Sequence, residues 1–132
     1  MALQVVSDKR HVFRDKALVS INGKLSRIIF NKTCREMMIE NYKKEFEHVL
    51  LLRDPDIENA FWVRPSGPEE EGARQLNAAS GSTRSVSCSL LLNEMNWRPT
   101  KTETYLVSWD FQNNAAKVDL SEKVGEKKKV EA

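Results

Sequence analysis

The sequence has few of the residues on which several protein classes depend. Its 132 residues include two cysteines, Cys34 and Cys88, too few for the disulfide framework of a small secreted domain. No apolar run approaches the roughly 18–20 residues that a transmembrane helix needs. The N-terminus is charged by Asp8 and has no long apolar stretch, so it does not fit a signal peptide. We therefore expect a cytoplasmic protein that does not contact a membrane.

Motifs for catalysis and cofactor binding are also missing. The sequence has no phosphate-binding loop, no glycine-rich dinucleotide fingerprint and no cysteine pair at metal-ligand spacing. The cysteines fall at the starts of two predicted helices, where inert core positions are expected. Asp54 and Asp56 lie in a predicted turn, and no pocket signature accompanies them. The pattern predicts that the protein is not an enzyme and that it has no cofactor and no metal.

The charge along the chain is uneven. The net charge is only +2, but residues 1–35 contain eight Lys or Arg and two Asp. This first quarter carries +6, so the remaining 97 residues carry −4. A basic segment on an acidic body is typical of a surface that binds a polyanion. Lysines and arginines scattered over a solvated strand would give the same count, and this alternative stays open.

The local pattern predicts β-β-α-β-β over residues 16–64. Four short apolar runs predict the strands: Ala17–Ile21, Arg27–Phe30, His48–Leu52 and Ala60–Val63. Asn22-Gly23 predicts a hairpin with a mobile, prominent tip. Asn31 or Thr33 is expected to cap a helix with apolar residues at spacings of three and four.

The same order of elements recurs after a polar break. Residues 65–73 hold two prolines, two glycines and three consecutive glutamates, and they predict a linker. Beyond it, weak strand candidates over 75–86 precede a helix near 90–95 and strands at Tyr105–Phe111 and Ala116–Leu120.

The predicted fold is α+β and mostly β. Two β-β-α-β-β units, residues 16–64 and 74–120, are expected to pack as a pseudo-dimeric barrel within one domain of residues 1–120. Residues 121–132 are polar and predict a disordered tail. The apolar stripes predict a core that includes Met37, Met38, Leu50, Leu52, Trp62, Leu91, Leu106 and Trp109.

The second strand and the start of the helix carry a family resemblance. Leu25–Asn31 and Lys32–Arg35 resemble the G-R-[IV]-x-[IL]-P strand and x-x-[IL]-R helix start of the AbrB/MazE/MraZ-like swapped-hairpin superfamily. The chain departs from that pattern at Asn31, where the family has proline, and at Ser26, where it has glycine. The resemblance is strongest over residues 16–64, and residues 74–120 would be a degenerate second copy.

The resemblance implies a dimeric or pseudo-dimeric barrel that binds double-stranded DNA, as a transcriptional regulator. By position, the residues expected to contact DNA are Lys16, Lys24, Arg27, Lys32 and Arg35. Two other functions stay open: a protein-interaction or assembly module, of antitoxin-like or phage-encoded type, and a single-stranded nucleic-acid binder. A homo-oligomer is also consistent with the resemblance.

Overall fold

One antiparallel sheet dominates the fold. The computed structural model describes residues 16–78 and 83–124. Within these residues the strands are β1 Leu18–Asn22, β2 Arg27–Phe30, β3 His48–Leu52, β4 Ala60–Ser66, β5 Arg74–Gln75, β6 Asn77–Ala78, β7 Arg84–Ser87, β8 Glu103–Asp110 and β9 Ala115–Val124. Two helices, α1 (Lys32–Tyr42) and α2 (Ser89–Met95), follow β2 and β7. The prediction of a mostly β fold is confirmed.

The sheet is almost closed into a barrel. The strand order is β5-β3-β4-β9-β8-β1-β2-β7-β6, and every neighbouring pair is antiparallel. The two edge strands, β5 and β6, are separated in the chain by Leu76 alone. A single short segment therefore pairs with both ends of the sheet, which leaves little unpaired edge.

Alternating residues of the strands fill the interior. Val19 and Ile21 of β1 and Ile28 and Phe30 of β2 are buried, while the residues between them are half-exposed. Cys34 and Met38 of α1 and Leu91 and Leu92 of α2 join the same apolar cluster. The helices therefore extend the interior of the barrel instead of forming a separate layer.

The predicted core is only partly the observed one. Met38, Trp62 and Leu91 are buried, but the other predicted core residues are half-buried: Met37, Leu50, Leu52, Leu106 and Trp109. In β3 the leucines are only half-buried because successive side chains of a strand point to opposite faces, and one face meets the barrel interior. Val49 occupies that face, while Leu50 and Leu52 lie opposite Arg64 and Trp62 on the outer face.

Two strands are longer than the sequence pattern predicts. β4 continues through Pro65 to Ser66, into the predicted linker, and β9 continues from Leu120 to Val124. The prediction of a disordered tail is therefore wrong for residues 121–124, and its remainder, residues 125–132, lies outside the described residues. Each extension has a partner strand, since β3 pairs with Pro65 and Ser66, and β8 pairs with Lys123 and Val124. Pairing across the sheet stabilises strand residues whose own sequence is polar.

Asn31 joins β1 to the start of α1. It is the N-cap of α1, and its Oδ1 accepts hydrogen bonds from the backbone N–H groups of Cys34 at 2.8 Å and Leu18 at 3.1 Å. Its Nδ2 also donates to the backbone carbonyl of Lys16 at 2.9 Å. These bonds hold the base of the β1–β2 hairpin.

Neither helix of the described residues is long and apolar enough to cross a membrane.

Candidate functional site

The five predicted DNA-contacting residues fall at two ends of the β1–β2 hairpin. Lys24 lies in the turn and Arg27 at the start of β2, beside that turn. Lys32 and Arg35 lie in α1, which begins where β2 ends, and Lys16 precedes β1 at the same end. The four residues of β2 separate the two groups by about 13 Å, at the usual rise of about 3.3 Å per residue.

The group at the base of the hairpin has acidic neighbours. Lys32 Nζ lies 4.0 Å from Glu36 of the same helix. Arg35 lies 3.7 Å from the carboxylate of Glu45. Both acids are exposed, so these pairs add little stability, but they reduce the positive potential that α1 presents to a polyanion.

The tip of the hairpin is held in place, in contrast to the mobile tip that Asn22-Gly23 predicts. Arg98 NH1 donates to the backbone carbonyl of Gly23 at 2.6 Å and to Ser26 Oγ at 2.5 Å. Arg98 NH2 donates to Asn93 Oδ1 at 3.0 Å. Gly23 is buried, and a Cβ built on it would lie 2.1 Å from the carbonyl oxygen of Pro99.

Arg27 is likewise positioned by a neutral partner. Its Nε and NH2 groups donate to Ser85 Oγ on the adjacent strand β7, at 3.3 and 3.0 Å. Among the residues that the structure describes, no carboxylate lies within 4.0 Å of the guanidinium of Arg27 or Arg98. Two arginines are therefore fixed in position, and no carboxylate of the described residues pairs directly with their charges.

Four basic residues share this end of the barrel, and we refer to them as the tip cluster: Lys24, Arg27, Arg98 and Lys101. Lys24 and Lys101 are exposed. Lys101 comes two residues before Glu103, which pairs with Ile21 at the tip end of β1. The segments next to the tip cluster contain two acidic side chains, Glu94 and Glu103. Glu103 accepts hydrogen bonds from the hydroxyl of Tyr105 and from the ammonium of Lys123.

The two buried cysteines are poor nucleophiles. Burial raises the pKa of Cys34 to about 12, and burial raises the pKa of Cys88 to about 11 against smaller, opposing effects of Arg98, Arg27 and Arg74. Both thiols are therefore protonated at neutral pH, which makes them unreactive. Arg27 lies opposite Ser87, and Arg98 contacts Ser26, the residue before Arg27, so the two arginines lie close together.

A second surface lies on the outer face of β3 and β4. It is an open groove of about 290 Å³ lined by Leu52, Arg53, Asp54, Ile57, Trp62, Arg64 and Asn113. Trp62 Nε1 donates to Asp110 Oδ2 at 2.8 Å, and the ammonium of Lys117 lies 5.8 Å from the centre of the Trp62 ring. Arg64 donates to the carbonyl of Asn113 at 2.9 Å, in the turn that also holds Phe111.

Sequence reasoning missed Arg98 and the groove for the same reason. Arg98 is 75 residues from Gly23 in the chain, and its segment shows no local charge run. The groove likewise joins β3, β4 and the β8–β9 turn, which are distant in sequence. Within the described residues, no group of three or more His, Cys, Asp or Glu side chains could hold a metal ion.

Comparison with known proteins adds no assignment. No protein-family model matches the chain, and neither curated proteins nor solved structures give a match. The geometry of the tip cluster and the groove must therefore support any functional conclusion.

Proposed function

We propose that the protein binds double-stranded DNA through the tip cluster and acts as a transcriptional regulator. The observation that carries this proposal is the pair Arg27 and Arg98, which are held by neutral partners beside the same hairpin turn. Ordered cations without carboxylate partners attract phosphates, and prior ordering lowers the entropy lost on binding. Exposed Lys24 and Lys101 add charge beside them.

The proposal agrees in part with the resemblance to the AbrB/MazE/MraZ-like superfamily. Two of the five residues that the resemblance nominates, Lys24 and Arg27, belong to the tip cluster. The other three, Lys16, Lys32 and Arg35, lie at the base of the hairpin. We assign the phosphate contacts to the tip, because Lys32 and Arg35 have carboxylates within 4.0 Å.

We also propose that the barrel is a pseudo-dimer of two β-β-α-β-β units. The strands of the two units can be exchanged in sequence order: β1 with the segment β5–β6, β2 with β7, β3 with β8, and β4 with β9. After this exchange every pair of neighbouring strands in the sheet is again a pair of neighbours. The β2–β7 and β4–β9 pairs exchange with themselves under this operation, as strands that flank a two-fold axis do. The β1–β8 pair exchanges with the pairing of β3 and β5.

The salt dependence of DNA affinity tests the proposal. We expect fluorescence anisotropy on a labelled duplex, from about 50 to 200 mM salt, to show affinity that falls with a slope of about −3 to −4 for four phosphate contacts. The double variant Lys24→Gln and Arg27→Gln should reduce that slope by about 2. Far-UV circular dichroism checks that the variant is folded.

A charge-matched control comes from the base of the hairpin. Lys16→Gln with Lys32→Gln removes the same two charges from the chain and should leave the slope unchanged. Equal slopes for wild type and the tip variant would contradict the assignment of the tip. Absence of binding at the lowest salt would overturn DNA binding altogether, and tighter binding to a single-stranded oligonucleotide would favour the single-strand alternative.

A protein partner is the second candidate function, and the groove favours it. Phe111 is 80 % exposed in the turn beside the groove, and Ile57 of the groove lining is 37 % exposed. Exposed aromatic residues next to arginines are enriched at protein interfaces. If DNA binding fails, an acidic protein partner at this groove becomes the better proposal.

A further inference from the structure

Two exposed leucines lie at the same end of the barrel as the tip cluster. Leu25 in the hairpin turn is 65 % exposed, and Leu90 in the first turn of α2 is 60 % exposed. The backbone N–H of Cys88 donates to the carbonyl of Ser26 at 2.8 Å. This bond joins the hairpin turn to the start of α2, one residue from Leu25 and two residues from Leu90.

The backbone that carries Leu25 is held on both sides. The N–H of Leu25 donates to Asn22 Oδ1 at 2.9 Å. Arg98 bonds to Gly23 before it and to Ser26 after it. Leu25 is therefore an apolar side chain on a fixed turn, and placing it against a partner costs little backbone entropy.

The size and charge of the patch argue for one kind of partner. Two leucines cover far less than the roughly 1,000 Å² that a stable protein interface needs. The surrounding residues of the tip cluster are cationic, and their arginines have no carboxylate within 4.0 Å in the described chain. A polyanion that also offers an apolar surface satisfies both features, and duplex DNA does so where a base step unstacks and uncovers the faces of its bases.

We propose that Leu25 and Leu90 form a wedge that enters between base pairs from the minor groove while the tip cluster holds the flanking phosphates. This inference rests on the proposed DNA binding. Leucine and other apolar side chains that insert in this way partly unstack a base step and kink the duplex by about 20–90°. Binding should therefore bend DNA and should favour TA or CA steps, which unstack more easily than A-tracts.

Energy transfer between dyes on the two ends of a short duplex tests the wedge. With a central TA step, the wild type should raise the transfer efficiency on binding, and an A-tract duplex should bind more weakly. The double variant Leu25→Ala and Leu90→Ala should lose the increase and bind about tenfold more weakly, from the lost apolar contact. Its salt slope should equal that of the wild type, because no charge has changed. Phe111→Ala, an exposed apolar residue of the other surface, should behave like the wild type.

Three outcomes would overturn the wedge, and they are distinguishable. Wild-type binding with a normal salt slope and no change in transfer removes the wedge but leaves the proposed DNA binding. Absence of binding to any duplex removes both. If the leucine variant bends DNA normally but loses a concentration-dependent dimer in sedimentation velocity, the leucines contact a second copy of the chain instead.

Discussion

Gly23 shows how one residue can decide the packing of the hairpin tip. The Asn22-Gly23 pair is typical of a free hairpin turn, yet Gly23 lies beneath Pro99 and the side chain of Arg98. The glycine is needed for close packing, because any Cβ there would overlap the backbone of Pro99. The residues that hold the hairpin tip therefore come from the second half of the chain.

Gly23→Ala should destabilise the fold and loosen the tip. The new Cβ would lie 2.1 Å from a backbone oxygen, which cannot move as a flexible side chain can, so we expect a loss of about 1–3 kcal/mol. Urea unfolding measures the loss. Gly67→Ala is the matched control, since the three atoms nearest to its Cβ would all belong to the carboxylate of Glu69, the end of a flexible side chain. Equal losses for the two variants would contradict the packing role of Gly23.

Asp110 gives a second prediction at this scale, on pH dependence. Hydrogen bonds from Asn113 and Trp62 are the main causes that hold the pKa of Asp110 below its ordinary value of 3.8. A carboxyl with a lowered pKa in the folded state stabilises the fold above its unfolded pKa, and this stability is lost as the pH falls through the folded pKa. We expect thermal stability to decline below about pH 4, the unfolded pKa of Asp.

Asp110→Asn is the variant that tests this origin. It should show a lower melting temperature at about pH 7 and a smaller decline between about pH 5 and pH 3, the interval that contains the ordinary pKa of Asp. Trp62 fluorescence reports the local environment in the same samples. An identical pH profile for the variant and the wild type would show that other carboxylates dominate acid unfolding.

At the scale of elements, the strands follow one rule: the barrel interior receives every second residue. The apolar run within His48–Leu52 predicts a buried strand. In the barrel only Val49 reaches full burial, while Leu50 remains half-buried on the outer face. The register of β3 against β4, which no single segment encodes, decides which residues of the run are buried.

This rule predicts unequal costs for two substitutions in the β3–β4 hairpin. Phe61 of β4 has no exposed area and pairs with Val118, so Phe61→Ala should cost about 3–5 kcal/mol. Leu50→Ala should cost less, about 1–2 kcal/mol, because the side chain is half-exposed. Urea titration of both variants compares them. A larger cost at Leu50 would mean that the two faces of β3 are wrongly assigned.

At the scale of the whole molecule, the two halves of the chain cannot be separated into independent domains. Four of the strand pairings, β1–β8, β2–β7, β3–β5 and β4–β9, join the first half to the second. Residues of both halves also share one apolar cluster. Each half therefore completes its core only with the other.

Unfolding should consequently be a single cooperative transition for the described barrel. The variant Trp97→Phe with Trp109→Phe leaves Trp62 as a probe of the first half, and Trp62→Phe with Trp109→Phe leaves Trp97 as a probe of the second. Within each variant, fluorescence and far-UV circular dichroism should give the same urea midpoint. Separate midpoints within either variant would indicate that the halves unfold independently.

The sequence by itself determined the two helices, most of the longer strands and their order. The strand β1, the strand β2, the capped helix α1 and the helix α2 all follow from local signals: β-branched runs, the cap at Asn31 and apolar periodicity. These signals operate within a few residues, which is the range over which hydrogen bonds to the local backbone and helix or strand periodicity act. Their sum was enough to indicate a mostly β fold.

Only the tertiary structure decided which strand residues face the barrel interior and which basic residues lie together. It divided the five predicted basic residues between the two ends of a hairpin and brought Arg98 to Gly23 across 75 positions of the chain. It also moved Leu50 and Leu52 to the outer face and extended β9 by four residues through pairing with β8. These features depend on register and on contacts between distant segments, and a sequence pattern of period two or 3.6 contains no information on which segments will meet.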